Sequence, residues 1–219
     1  MDIKVDHTTV ICFDLDDTLY NEIDYLRSAY SYIAKQLHPE HFESLNQEML
    51  SMYKEGKDVF QYLANHYAID KDKLLHMYRY HTPNITLFDG VYDILQTILK
   101  QGGRLAIITD GRVKTQMAKI EALGIKELFG TIVISEALGS EKPNGLNYRT
   151  VEQANLADHY TYIADNIKKD FVTPNTLGWQ TIGLRDNGLN IHSSQPSDVA
   201  VNYLPQKFIN SYAELNIIS

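Results

Sequence analysis

Cysteine is almost missing from this sequence: Cys12 stands alone, so no disulfide can form within the chain. It lies in an apolar run, where a small buried hydrophobe is its ordinary role and a nucleophile the unusual one. Long hydrophobic runs are missing too. No stretch approaches the roughly 18 apolar residues of a membrane span, and residues 1–7 lack the apolar centre of a signal peptide. Basic charge is in deficit. Against 28 Asp and Glu stand 20 Lys and Arg, a net charge of −8 that argues against nucleic acid or an anionic membrane as partner. A phosphorylated substrate is not excluded, because one local cation site can override the global sign. Internal repeats and low-complexity tracts do not occur. These absences predict a cytoplasmic protein and leave its oligomeric state open.

What is present is an ordinary globular composition, 44% hydrophobic and 22% charged, on a chain long enough for a core domain with a smaller insert. Residues 9–13, Thr-Val-Ile-Cys-Phe, form a short continuous apolar run, as expected of a strand buried on both faces of a parallel sheet. From residue 22 to 81 the period changes. Ile23, Leu26, Tyr30, Ile33 and Leu37 repeat at three-and-four spacing, and Phe42, Leu45, Met49 and Met52 do the same. Val59, Leu63 and Tyr67 make a third stripe; Leu74, Leu75 and Tyr78 make a fourth after the capping candidates Asp70 and Asp72. Pro83 ends this block of four helices.

Beyond Thr86 strands and helices alternate. Helices are predicted over 91–100, 113–123, 146–154 and 168–177, with strands at 104–109, 131–134, 160–164 and 180–184. A last strand at 198–201 and a helix over 206–215 complete the pattern. Residues 186–197, rich in Asn, Gly, Ser and Pro, read as a surface loop. Alternating units of this length predict an α/β fold, a doubly wound parallel sheet with an inserted helical module. The core takes residues 1–20 and 83–219, the insert 21–82.

The polar residues fall at telling places. Asp14-Leu15-Asp16-Asp17-Thr18 follows the first apolar strand, and Thr109-Asp110-Gly111 closes the second. A loop after the third leads to Glu141-Lys142-Pro143, and Asp165 follows the fourth, with Asp170 five residues on. In a doubly wound sheet the carboxyl ends of the strands share one edge, where ligands bind. Asp14, Asp16 and Asp165 would be close together there. At an effective dielectric near 20, two like charges about 4 Å apart cost roughly 4 kcal/mol, so a proton or a cation must relieve them. An oxygen-only donor set suits Mg²⁺. His38 and His41, three apart, do not make a zinc site by themselves.

These motifs, in this order, resemble those of the haloacid dehalogenase superfamily, and of its phosphatases in particular. Asp14-Leu-Asp-Asp-Thr-Leu19 is similar to the first motif, Thr109 to the second, Lys142-Pro143 to the third and Asp165-x4-Asp170 to the fourth. Ala164 stands where the fourth motif usually has glycine. The helical insert resembles the family's small helical cap. The resemblance implies that Asp14 attacks phosphorus and becomes an aspartyl phosphate, while Asp16 serves as acid and then base. It implies Mg²⁺ held by Asp14, the main-chain carbonyl of Asp16, and Asp165. Thr109, with Asp110 and Gly111 beside it, would bind the phosphoryl oxygens, and Lys142 would neutralise charge. Asp170 would be a further metal ligand or would orient Lys142. The dehalogenases lack the second aspartate, so Asp16 favours phosphoryl transfer.

Each motif alone has a plainer reading. An acidic run after a strand is often a solvated turn or a helix cap, and Asp165 and Asp170 could be charges favoured at a helix start. The ordered combination favours a site. Tyr20 or Tyr25, close after the acidic loop, is expected to face the substrate, and Arg27 is a candidate for an anionic group or a solvated helix face. Trp179 is expected in the core. The loop after Thr18 and residues 82–86 would be hinges of the cap. The function expected is hydrolysis of a small phosphate monoester, such as a sugar phosphate, nucleotide or small acid phosphate. A phosphomutase using the same phospho-aspartate, or a non-catalytic phospho-aspartate receiver, are the alternatives. Receivers are shorter and lack a helical insert.

Overall fold

The computed structural model describes residues 1–192 and 195–219. After a short strand β1 (Asp2–Lys4), β2 (Thr9–Phe13) is buried at every residue. Four helices follow: α1 (Glu22–Leu37), α2 (Phe42–Lys54), α3 (Val59–Tyr67) and α4 (Lys71–Tyr80). The chain then runs through α5 (Val91–Lys100), β3 (Arg104–Thr109), α6 (Val113–Ala122), β4 (Thr131–Ile134), α7 (Ser135–Leu138) and α8 (Gly145–Ala154). It continues as β5 (His159–Ala164), α9 (Val172–Thr176), β6 (Gln180–Leu184), β7 (Lys207–Ile209) and β8 (Asn216–Ile218).

Strands β4-β3-β2-β5-β6-β7 form one sheet in that order, every neighbouring pair parallel. From β2 the chain moves outward on one side through β3 and β4, then returns to the other side of β2 as β5. The order therefore reverses beside β2, and a crevice opens at the carboxyl ends of β2, β3 and β5. Side chains alternate between two cores, as the strand period of two requires. Ile11, Phe13, Ile107 and Ile163 join one cluster; Val10, Cys12, Ala106, Ile108 and Tyr162 join the other. Cys12 is thus a buried hydrophobe, and Trp179 packs in the second cluster.

The four helices gather around a third cluster that includes Leu26, Tyr30, Ile33, Leu45, Met49, Leu63 and Leu74, the residues of the sequence stripes. Each such aliphatic side chain fully removed from water contributes about 1.5–3 kcal/mol, which holds this cap together apart from the sheet. Asp58 caps α3 by accepting from the Gln61 N–H at 2.9 Å, and Asp70 caps α4 by accepting from Asp72 at 2.8 Å. No helix among the described residues is long and apolar enough to cross a membrane.

The expectations fail at the end of the chain. Residues 198–201 are not a strand, and 206–215 are not a helix: Lys207–Ile209 is the sheet's edge strand, paired with β6. Gly183 of β6 lets this happen, since a Cβ there would meet Pro205 at 2.6 Å and the Phe208 ring at 2.9 Å. Asn216–Ile218 pairs in turn with Asp2–Lys4, a partnership across the whole chain that no local pattern encodes. The helix expected over 168–177 shortens to Val172–Thr176. Before it the chain is held in a turn by Asp170, whose carboxylate accepts from the Asn166 N–H at 3.0 Å.

Candidate active site

Everything at the crevice starts from how β2 ends. The Asp14 N–H still bonds to the Ile163 carbonyl at 3.0 Å, so Asp14 is fixed as the last residue of sheet-like backbone. The chain then turns tightly, with Leu19 N–H donating to the Leu15 carbonyl at 2.9 Å and Asp17 at φ 54°. A non-glycine residue in the left-handed region needs local support. Asp17 has it, because its carboxylate accepts from the Glu22 N–H at 2.7 Å and the Ile191 N–H at 3.0 Å. The same side chain thereby ties the start of α1 to the loop after β6. That loop is more than surface: Asn190 donates to Asp165 at 2.9 Å, and His192 lines the crevice. Ser193 and Ser194, within the same predicted loop, lie outside the described residues.

Lys142 is the electrostatic centre. Its Nζ lies 2.8 Å from Asp14 Oδ1 and 2.7 Å from Asp170 Oδ1, with no exposure of the lysine side chain. Burial alone would lower the pKa of Lys142, but Asp14 and Asp170 outweigh it and hold the ammonium charged. Asp170 is itself fully buried, accepting from Lys142, the Tyr162 hydroxyl at 3.4 Å and the Asn166 N–H. It anchors the lysine that faces Asp14.

One oxygen each of Asp14, Asp165 and Asp170 can be chosen so that all lie within 4.8 Å of one another. Burial pushes the Asp14 and Asp165 carboxyls above the usual carboxylate range. For Asp165 the charge of Asp14 adds to the effect, while Lys142 works against it at Asp14. Such a crowded, all-oxygen set is what a hard divalent cation relieves, so the residues fit Mg²⁺. Asp170 is committed to Lys142 and the Asn166 N–H; Asp14, paired with Lys142 through Oδ1, and Asp165, which accepts from Thr18 at 3.3 Å and Asn190 at 2.9 Å, are the side chains that would hold the ion.

The Asp16 carboxylate is not in that group. It accepts from Lys119 Nζ at 2.7 Å, from Gln116 Nε2 at 2.8 Å and from the Tyr20 hydroxyl. Burial would raise its pKa, but Lys119 beside it, helped by Tyr20 and Gln116, brings it below the usual value. Sequence reasoning missed Gln116 and Lys119. The signal was available: they sit at i and i+3 on the buried face of α6, where an apolar stripe belongs. Lys119 also stacks over the Tyr25 ring at 4.6 Å and lies 4.0 Å from Glu22. Burial and the nearby Asp16 charge push the Glu22 carboxyl up to about 8.

Thr109, Asp110 and Gly111 form one wall. The Thr109 hydroxyl accepts from Gln116 at 2.6 Å, and the Gly111 N–H donates to Ser135 Oγ at 2.8 Å. A side chain at Gly111 would be strained at φ 129° and would press on Gln116 at 3.2 Å. Asp110 is spent on structure, accepting from the Lys142 N–H at 3.0 Å and from Lys169 Nζ at 2.8 Å. These walls enclose a cleft of about 400 Å³, lined also by Glu22, Glu141, Asn166 and Lys169. Tyr20 reaches it only through Asp16, while Tyr25 is buried with its hydroxyl on the Tyr78 carbonyl at 2.9 Å. Arg27 pairs with Asp24 at 2.8 Å on an open helix face.

Glyceraldehyde 3-phosphate phosphatase of Methanocaldococcus jannaschii is 25% identical over 213 residues, 90% of this chain and 93% of that one. Pyrophosphatase PpaX of Halalkalibacterium halodurans is 25% identical over 142 residues, covering 61% of this chain and 63% of the other. Among solved structures, CbbY from Rhodobacter sphaeroides in complex with phosphate superposes with a TM-score of 0.61 at 17% identity, over 95% of this chain and 96% of that one. The sequence profile of the haloacid dehalogenase-like hydrolases matches residues 11–184, and the chain belongs to that family as an enzyme of its phosphatase branch.

Proposed function

We propose that the protein hydrolyses a small phosphate monoester with Asp14 as nucleophile and Mg²⁺ as cofactor. An Asp14 oxygen bonds to phosphorus as the ester oxygen–phosphorus bond breaks, and the leaving oxygen takes a proton from Asp16, which must enter the cycle protonated against the Lys119 charge that otherwise favours its ionised form. In the second half, a water oxygen bonds to phosphorus, its proton returns to Asp16, and the bond to Asp14 breaks. Asp14, Asp165 and the main-chain carbonyl of Asp16 hold the ion, which when bound neutralises charge on the phosphoryl oxygens. Thr109 and Gly111 receive the phosphoryl group, and Lys142 keeps Asp14 ionised and aimed. Asp110 contributes by positioning Lys142 and Lys169 beside that group.

The observation that carries this reading is the buried Lys142 ammonium held 2.8 Å from Asp14 in the lining of the crevice, with Asp165 alongside. The relatives' names supply further support, since they act on glyceraldehyde 3-phosphate and on pyrophosphate. In this reading residues 21–82 are the cap over a core of residues 1–20 and 83–219, and the loop after Thr18 and residues 82–86 are its hinges. Release of inorganic phosphate from p-nitrophenyl phosphate and from small sugar phosphates, with Mg²⁺ and with EDTA, is the direct test. The Asp14→Asn protein should fold and be inert. Full activity in that variant removes Asp14 from its role, and isomerised product without free phosphate makes the enzyme a mutase.

A further inference from the structure

The cleft carries an unusual charge inventory, and its meaning rests on the phosphatase reading above. Its lining carboxylates are Asp14, Asp16, Asp17, Glu22, Asp110, Glu141 and Asp165; its lining ammonium groups are Lys142 and Lys169. Both lysines are engaged beside the phosphoryl position, Lys142 with Asp14 and Asp170, Lys169 with Asp110. No arginine lines the cleft among the described residues. Lys119 is turned away behind Asp16, its side chain 4% exposed. The cap supplies Glu22 to this lining, from the first turn of α1.

Glu22 is held where it is by its own backbone, whose N–H is fixed by Asp17. Its carboxylate makes no hydrogen bond with any described side chain, and its nearest cation, Lys119, lies at 4.0 Å and already serves Asp16. The part of a monoester that departs must lie on the cap side of the phosphoryl group. There it meets a carboxyl group with free acceptor oxygens, whose one nearby cation, Lys119, is already paired with Asp16. A hydroxyl group satisfies those oxygens in either protonation state, whereas a carboxylate or second phosphate would, once Glu22 is ionised, be desolvated beside a like charge.

We propose that Glu22 is a specificity-determining residue: it selects monoesters whose leaving alcohol is uncharged and bears a free hydroxyl, and it rejects those with a second anionic group. Two three-carbon monoesters isolate the property. Glycerol 3-phosphate and 3-phosphoglycerate share a skeleton and differ in having a hydroxymethyl group or a carboxylate at the far end. With the Mg²⁺-loaded wild-type enzyme, assayed at alkaline pH where Glu22 is ionised, kcat/KM should favour glycerol 3-phosphate by about tenfold or more. Glu22→Gln should shrink that ratio several-fold, and Glu22→Asp, which keeps the charge, should retain most of it.

A wild-type ratio near one, or a preference for 3-phosphoglycerate, overturns the proposal without need of any variant. So does a ratio that Glu22→Gln, shown folded by circular dichroism, leaves unchanged. p-Nitrophenyl phosphate separates this failure from that of the broader reading. If it is hydrolysed while the ratio is flat, only the role of Glu22 falls; if no phosphate ester is hydrolysed, the phosphatase reading falls and takes this one with it.

Discussion

Lys119 Nζ sits 2.7 Å from Asp16 Oδ1, and the same ammonium lies over the Tyr25 ring of the cap at 4.6 Å. A single core lysine therefore touches both the proposed proton carrier and the cap. Thr115 and Lys114, on the same helix α6, also meet the cap, at the Arg79 carbonyl and the Tyr80 ring. The helix that holds Asp16 is thus in direct contact with the cap at three of its residues.

Removing this lysine should mislead Asp16 more than it harms substrate binding. Lys119→Met is expected to lower kcat by between about ten- and a hundredfold, part of what a general acid contributes, with KM little changed. Lys119→Arg should recover part of the loss, because a guanidinium can still reach Asp16 and stack on Tyr25. Steady-state kinetics with p-nitrophenyl phosphate decide it. A variant whose KM rises while kcat holds would show that Lys119 serves the substrate instead.

Asp170 is the second carboxylate on Lys142, and both side chains of that pair are completely buried. Taking away one partner of such a pair leaves an under-compensated buried charge, at a cost of about 3–5 kcal/mol. Asp170→Asn should therefore lower the urea midpoint strongly and depress kcat as Lys142 loses its anchor. Unchanged unfolding would mean that Asp14 alone suffices to hold the lysine.

Much of this was legible from residues 9–170 and little from the end of the chain. Asp14, Thr109 and Asp165 could be placed because each follows an apolar run whose carboxyl end a parallel sheet must bring to one edge. Lys142 needed the family motif, since nothing local marks it as buried. The Asp16 network was missed for a different reason: Gln116 and Lys119 share a helix face with Ile120, but polar side chains there read as solvated until α6 is seen packed between sheet and cap. Edge strand Lys207–Ile209 is only three residues long, and its partner's Gly183 is what admits it. Propensity cannot resolve so short a segment when packing decides.

His81 offers a pH test of the cap's attachment. Its Nδ1–H donates to the Tyr78 carbonyl at 2.9 Å, leaving Nε2 to accept from the Ser28 hydroxyl at 3.1 Å, and Ser28 in turn accepts from the Asn84 N–H at 2.8 Å. Burial is the main cause that holds the imidazole below its ordinary pKa of 6.5, with the Lys119 charge assisting. The unfolded chain then binds the proton more readily than the folded one, so stability is full above pH 6.5 and falls as pH drops below it. Thermal melts across that range should show the decline in the wild type and a shallower one in His81→Gln. Equal slopes in the two would remove His81 as the cause.

Asp165 gives the sharpest contrast between metal binding and folding. Without a cation its half-buried carboxyl is a burden, pushed above its usual pKa first by loss of solvation and then by Asp14. Asp165→Asn, measured in EDTA, should accordingly melt higher than the wild type, because one of two crowded acids is gone. Adding Mg²⁺ reverses the order. At a hundred times its dissociation constant the ion would stabilise the wild type by about 2.7 kcal/mol, and the variant, short of a ligand, by much less. Calorimetric melts of both proteins with and without Mg²⁺ give four values whose crossing is the prediction. Parallel shifts in the two proteins would place the ion elsewhere than beside Asp14 and Asp165.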